Sequence, residues 1–483
     1  MRFFSRSNIS VLLLFVILIT LLGTFGGFRS LSVHASEAPD DWPTYLHDPG
    51  HSGFNSTETV INAATAPDLT LQWAAKTNGC SGSPGGPTTI STQPVVVKAL
   101  QLIFWGSWDG CEHATNLSGT EIWATYLGQI NSPKCPYPST IGVASTPTVI
   151  RELIGGENTP VLLIGGGDAN FYALNATTGA VIWKTSLSTG TGSFLWSSPV
   201  VYHGSVYEGL SSQLDCPLVR GRLYQLNAIN GNIQHVFNTV PGGCTGASVW
   251  GSPTIDTTAG TLYFGTGNPS KGCQQPEPYA VSIIELSTTN LAFIGSWQVP
   301  SSQQIPDSDF GTTPTLFQGM INGVMQPLVG LENKNGIFYA FVRGNLSQGP
   351  VWQVTIGDGE IFSPAAWDNS NLYIAGGHAN ISGTSCQGTN NEGSLQAVDP
   401  GTGTFLWQDC FPSGNVIGAV TVVPGVAVVA TGSDLEVVST AAGQSLFTYT
   451  DTSIGGTFFA AATIANGVLY IGDTNGNLYA FAP

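Results

Sequence analysis

Charge is scarce in this chain. Of its 483 residues only 9% are Asp, Glu, Lys or Arg, where a soluble domain usually carries about 25%, and that scarcity excludes helical bundles and coiled coils built on surface ion pairs. Basic residues are scarcer still, 13 Lys+Arg against 30 Asp+Glu, for a net charge of −17. No basic stripe is available to neutralise phosphates, so neither nucleic acid nor an anionic membrane surface is expected as a partner. The sequence holds no Cys-x2-Cys, no His-Glu-x-x-His, no Gly-x-Ser-x-Gly and no phosphate-binding loop, which removes the commonest zinc, hydrolase and nucleotide chemistries. Gly165-Gly166-Gly167 is a turn with no helix after it, so it is not a phosphate cradle. Beyond the N-terminal segment no apolar run is long enough to span a bilayer.

Glycine and aromatics are plentiful instead, at 61 Gly with 12 Trp, 14 Tyr and 23 Phe. Tight turns and flat apolar side chains are the material of an all-β protein. Residues 1–35 stand apart. Arg2 and Arg6 precede the apolar run Val11 to Leu22, and Val33-His34-Ala35 places small residues before Ser36, which predicts a secretory signal cleaved after Ala35. The exported chain would be Ser36 to Pro483, with 10 basic against 30 acidic residues, because Arg2, Arg6 and Arg29 leave with the signal. Left uncleaved, the segment would serve as an N-terminal anchor. All eight Cys (80, 111, 135, 216, 244, 273, 386, 410) lie in the exported part, so disulfides are expected. Cys386 with Cys410 is the expected pair, and the other pairings stay open. Asn55, Asn116, Asn175, Asn345 and Asn380 lie in N-x-Ser/Thr triplets, relevant only in a glycosylating host.

One pattern returns eight times. Its clearest copy is Leu162-Leu163-Ile164-Gly165, then Phe171-Tyr172-Ala173-Leu174-Asn175, the turn Thr178-Gly179, and Val181-Ile182-Trp183; others begin at Ile103, Val206, Leu262, Leu328, Leu372, Ala427 and Leu469. Most copies are preceded by a further strand entered through a small-residue run ending in proline, as in Ser145-Thr146-Pro147, Ser197-Ser198-Pro199 and Thr312-Thr313-Pro314. Four strands in each of eight repeats of about 56 residues predict an eight-bladed β-propeller of four-stranded blades over 69–483. The last copy stops at Pro483 without its outer strand, while Leu71-Gln72-Trp73 is such a strand with no blade before it. The two ends are therefore expected to complete one blade. Trp123, Trp183, Trp297, Trp352 and Trp407 close outer strands and are expected to pack between blades. Residues 36–68 read as an extended lead-in, and Pro49-Gly50 between His47 and His51 makes a loop rather than a helical metal site.

The Gly-turn-Tyr-Ala-Leu-Asn-x-x-Thr-Gly-x-x-x-Trp copies resemble the pyrroloquinoline-quinone-type propeller repeat, found in quinoprotein alcohol dehydrogenases and also in propellers without a cofactor. Four narrower segments resemble the dehydrogenases, above all their polyvinyl-alcohol-dehydrogenase-like branch. In Val249-Trp250-Gly251-Ser252-Pro253 the resemblance makes Trp250 the ring that stacks on the quinone. In Phe264-Gly265-Thr266-Gly267-Asn268-Pro269 it makes Asn268 a calcium ligand. Asp307-Ser308-Asp309-Phe310-Gly311 is similar to the catalytic-aspartate segment, with Asp309 the better match and Asp307 its rival. Asn333-Lys334-Asn335-Gly336 makes Lys334 the cation at the quinone oxygens. The residue types suit that chemistry: an indole gives a flat apolar floor, calcium takes oxygen ligands, a carboxylate accepts the alcohol proton, and a cation stabilises charge developing on the quinone oxygens.

The sequence also departs from the family. Where a calcium-binding Glu is usual, it reads Ser212-Gln213-Leu214-Asp215-Cys216, which leaves Asp215 or the neutral Gln213 as the metal ligand. The family's adjacent Cys pair is absent, and no Cys-x-x-Cys-His attaches a haem. The resemblance implies an exported oxidoreductase that uses pyrroloquinoline quinone and calcium to oxidise an alcohol and passes electrons to an external acceptor. The alternative is a non-catalytic propeller that presents its loops to a protein or a glycan.

Overall fold

Each copy of the repeat folds into four antiparallel strands, and eight such sheets form the blades of a propeller. The computed structural model describes residues 40–483 apart from 133, 134, 136, 137, 155, 271, 358, 360–362, 378–385 and 387–390. The signal segment, the first residues of the lead-in and the Asn380 triplet lie outside the described residues. Innermost strands begin at Val95, Thr148, Val200, Thr254, Thr315, Ala366, Thr421 and Thr463 for blades 1 to 8. Blade 3 gains a fifth short segment, Ser193–Phe194.

Second and third strands are buried along almost their whole length, as in Leu102–Gly106 and Cys111–Asn116. Second strands such as Leu102–Gly106 accordingly read as continuous apolar runs, whereas outer strands such as Val181–Ser186 turn part of their side chains toward solvent. Between blades the facing side chains fuse into shared clusters. One joins Phe104 of blade 1 to Leu162, Ile164 and Leu174 of blade 2, and another joins Phe338 of blade 5 to Leu372 and Ile374 of blade 6.

Two sequence features hold neighbouring blades in register. The first is the outer-strand tryptophan, whose ring lies on the Thr-Gly-type turn of the next blade: a Cβ at Gly179 would meet Trp123 at 2.6 Å, and one at Gly231 would meet Trp183 at 2.4 Å. Trp123 also donates from Nε1 to Ala176 O at 3.0 Å, and Trp352 to Pro400 O at 2.9 Å. The second is the small-residue run before each proline. Thr146 N is bonded to Ser198 Oγ, Ser198 N to Ser252 Oγ, and Ser252 N to Thr313 Oγ1, at 3.0, 2.8 and 3.1 Å. A run of hydroxyls thus links blades 2 to 5 and satisfies amides that a buried loop would otherwise strand.

The ring closes as expected. Thr70–Lys76 pairs with the C-terminal strand Asn477–Ala482, Thr70 opposite Ala482 and Lys76 opposite Asn477, with a bulge between Leu71 and Trp73. Trp73 then packs on Gly119 of blade 1, as its equivalents do elsewhere. The first and last strands thus complete one four-stranded blade, with Thr70–Lys76 as its outer strand.

The lead-in does more than enter the ring. From Trp42 to Asn55 it crosses the axis and hydrogen-bonds the inner strands in turn: Trp42 with Val96, Pro43 O with Val149 N, Pro49 O with Ile255 N, Gly50 O with Leu316 N, Ser52 O with Trp367 N, and Gly53 O with Val422 N. Asn55 reaches Ile464 O of blade 8 through its side-chain amide. This plug closes one end of the central channel. His47 and His51 take separate places in it, His47 edge-on to Trp42 and His51 buried with Nδ1 2.9 Å from Thr254 Oγ1.

Candidate active site

The other end of the channel opens into a cavity of about 660 Å³. The loop leading into each blade supplies its wall. Residues four positions before the first inner-strand residue line it in every blade where that position is described: Ser91, Ala144, Trp196, Trp250, Gly311, Ile417 and Phe459. Tyr45 of the plug also lines it.

On the side of blades 3 to 5 the wall carries charge. Asp309 is buried, accepts from Trp250 Nε1 at 2.9 Å on Oδ2 and pairs with Lys334 Nζ at 2.9 Å through Oδ1. Asp307, two residues earlier and largely exposed, pairs with the same ammonium at 3.0 Å and accepts from Asn268 Nδ2 at 2.5 Å. Local folding makes this arrangement: Lys334 sits in the tight turn between strands Val324–Asn333 and Ile337–Val342, where its amide donates to Asp309 O and the Asn333 side chain donates to Ser308 O. Burial pushes the Asp309 carboxyl up to about 6 against the pull of Lys334. Burial also opposes the charge on Lys334, but the two aspartates outweigh it and hold the ammonium above its ordinary value. Although burial acts to raise the carboxyl of Asp307, the attraction of Lys334 leads the forces that bring it below the usual range.

Two neighbours crowd the indole of Trp250. Lys334 Nζ lies 5.1 Å from its ring centroid, an arrangement that favours the cation. A Cβ at Gly311 would come within 2.0 Å of the indole, so only glycine fits at that contact.

The structure brings Trp250, Asp309 and Lys334 into direct contact. Asp215 lies on the same wall in a left-handed backbone conformation, φ 54°. Although its side chain reaches solvent, desolvation by the surrounding wall raises its carboxyl, opposed by Ser212 and by Lys334. Asn268 reaches the group through Asp307 rather than by lining the cavity. Gln213 is buried, donates to Pro138 O and Ser139 O, and leaves Oε1 without a hydrogen-bond partner. An orphaned amide oxygen beside Asp215 fits a hard cation such as calcium, which takes oxygen donors. The sequence reading missed the bridging role of Asp307 and the lining rings of Trp108 and Trp196. A signal for the latter was present, since Trp196 and Trp250 each stand three residues before a proline rather than at the end of an outer strand.

All eight cysteines are paired, Cys80 with Cys111, Cys135 with Cys216, Cys244 with Cys273, and Cys386 with Cys410 as expected. Asp109, Cys111 and His113 bring three potential metal ligands together. The Cys111 sulfur is taken by its disulfide, and His113 is bonded by Thr77, Ser107 and Glu121 while stacking on Trp105. That cluster is structural.

Residues 113–273 match a repeat family described as outer membrane protein assembly factor BamB. A polyvinylalcohol dehydrogenase of Pseudomonas sp is 23% identical over 357 residues, covering 65% of this chain and 52% of the relative. A quinohemoprotein alcohol dehydrogenase of Comamonas testosteroni is 24% identical over 354 residues, covering 65% and 46%. The match thus spans about half the length of these curated relatives. The crystal structure of quinohemoprotein alcohol dehydrogenase from Comamonas testosteroni superposes with a TM-score of 0.68 at 18% identity, over 92% of this chain and 80% of that one, which establishes a shared fold.

Proposed function

We propose that the chain is an exported, quinoprotein-like oxidoreductase of the pyrroloquinoline-quinone-type propeller kind, which binds pyrroloquinoline quinone and calcium and oxidises an alcohol, a reading supported by the repeat match and by the dehydrogenase relatives. One observation carries the reading. Asp309 is buried at the cavity wall with its carboxyl raised to about 6, held between an indole N–H and an ammonium, the poise of a general base that works near neutrality. When bound, the quinone supplies a two-electron acceptor for the carbinol carbon.

The chain's own groups then have defined work. Trp250 gives the flat floor, and Lys334, kept charged by its aspartates, offers a cation to oxygens that gain charge. Asp309 takes the hydroxyl proton. Asp215, with Gln213 Oε1, would hold calcium, and Asn268, expected from the sequence as a ligand, would act through its bond to Asp307. Four disulfides suit an oxidising compartment outside the cytosol, and no helix among the described residues is long and apolar enough to cross a membrane. Electrons would leave to an external acceptor, since the sequence attaches no haem.

The test is a calorimetric titration of Ser36–Pro483 with pyrroloquinoline quinone, with and without calcium. Tight one-to-one binding that requires calcium is expected. No binding in either condition overturns the reading and favours a second one, a scaffold that docks a protein partner. The match to a family described by an assembly factor supports that second reading.

A further inference from the structure

The cavity wall is divided between two chemistries, and the division points to a class of alcohol. Two positions in the entering loops of blades 2 to 5, 7 and 8 line the cavity, four and two residues before the inner strand, and blade 6 contributes the nearer of them. At the nearer position, blades 2 to 5 carry hydroxyls, Thr146, Ser198, Ser252 and Thr313, whereas blades 6 to 8 carry Pro364, Ala419 and Ala461. At the farther position, blades 7 and 8 carry Ile417 and Phe459. Among the described residues the charged lining groups, Asp215, Asp307, Asp309 and Lys334, all come from blades 3 to 5. Trp108 of blade 1 extends the uncharged arc, its N–H tied to Ser91 Oγ at 2.9 Å.

We infer that the substrate is a compact alcohol with a single hydroxyl and an aryl or branched hydrocarbon body, oriented with its hydroxyl toward Asp309 and its body against Ile417, Phe459, Ala461 and Trp108. The inference rests on the proposed oxidoreductase reading and narrows it. A polyol would bury further hydroxyls against Ile417, Ala419, Phe459 and Ala461, whose side chains offer no hydrogen-bond partner, and each unmet hydrogen bond is costly. A long polymer meets a different obstacle: the plug closes the channel behind Tyr45, so a chain cannot thread through and must leave by the mouth it entered. An apolar body released from water onto the arc gains affinity in proportion to the area buried.

The test uses the exported chain, first without and then with quinone and calcium. Calorimetry compares benzyl alcohol with glycerol and polyvinyl alcohol, and a dye-acceptor assay then compares their kcat/KM. Benzyl alcohol is expected to bind and to be turned over at least about tenfold more effectively than either competitor. Phe459→Ala should raise its KM by about tenfold with kcat nearly unchanged, and Ile417→Ser should do the same should the first variant not fold. Equal binding of benzyl alcohol and glycerol, or indifference of benzyl alcohol to both variants, overturns the inference. Failure to bind quinone defeats the oxidoreductase reading instead, and preferential binding of benzyl alcohol to the unloaded protein would then still support the apolar arc.

Discussion

At the scale of single residues, Asp307 and Asp309 show how position decides the role of a side chain. Both touch Lys334, but Asp307 is largely exposed, and attraction to the ammonium leads the forces that keep its carboxyl low, whereas Asp309 is buried and held high. Only the second is poised to exchange a proton near neutrality. Asp309→Asn is therefore expected to lower kcat/KM about 10²–10⁴-fold while quinone affinity, measured by calorimetry, changes little. The same carboxyl sets a pH profile: the base is active when ionised, so kcat/KM should climb with a midpoint near pH 6 and level off above it, with no such limb in the variant. Asp215 is tested separately. Calcium should raise the melting temperature of the parent chain, because it binds the folded state, and should fail to do so in Asp215→Ala. Trp250, Asp309 and Lys334 were legible in the sequence because each stands in a short motif of its own. The bridge from Asn268 through Asp307 to Lys334 was not, since it joins the loops of two blades and no spacing along one strand encodes it.

At the scale of the element, the tryptophan of one blade and the glycine of the next form a lock that repeats around the ring. Gly231 has φ 70° and would drive a Cβ into Trp183 at 2.4 Å, while Gly204 has φ 75° with nothing within 4 Å. The pair separates two costs. Gly204→Ala should cost about 1 kcal/mol, from the left-handed backbone alone. Gly231→Ala should cost about 2–4 kcal/mol, because overpacking against the indole is added; urea unfolding of the two variants measures the difference. Equal losses would mean that the ring yields and the lock is loose. The blades were legible because most copies carry this lock as a glycine turn followed by an outer-strand tryptophan, as in Thr178-Gly179 with Trp183 and Thr402-Gly403 with Trp407. The plug was not. Trp42 to Asn55 is irregular backbone whose partners lie up to several hundred residues away, and neither period nor propensity marks a segment whose order comes from seven blades at once.

For the whole molecule, the ring stores a liability in its buried acids. Glu112 of blade 1 and Glu208 of blade 3 are fully buried, neither has a hydrogen-bond partner on either oxygen among the described residues, and burial raises both carboxyls well above their ordinary value. In the folded ring they keep their protons; in the unfolded chain they ionise near pH 4.5. The folded state therefore binds more protons than the unfolded one above that pH, so their contribution to stability is complete below about pH 4.5 and is lost as pH rises toward the folded values. Replacing Glu208 by Gln keeps the shape and removes the ionisable group. Thermal melts of the parent and of Glu208→Gln should be close at pH 4.5, and at pH 8 the variant should melt higher, with a further gain when Glu112→Gln is combined with it. A parent chain whose lead over the variant grows with pH would mean that these carboxyls are ionised and paired inside the fold, and the blade interfaces would then owe part of their cohesion to charge rather than to apolar packing.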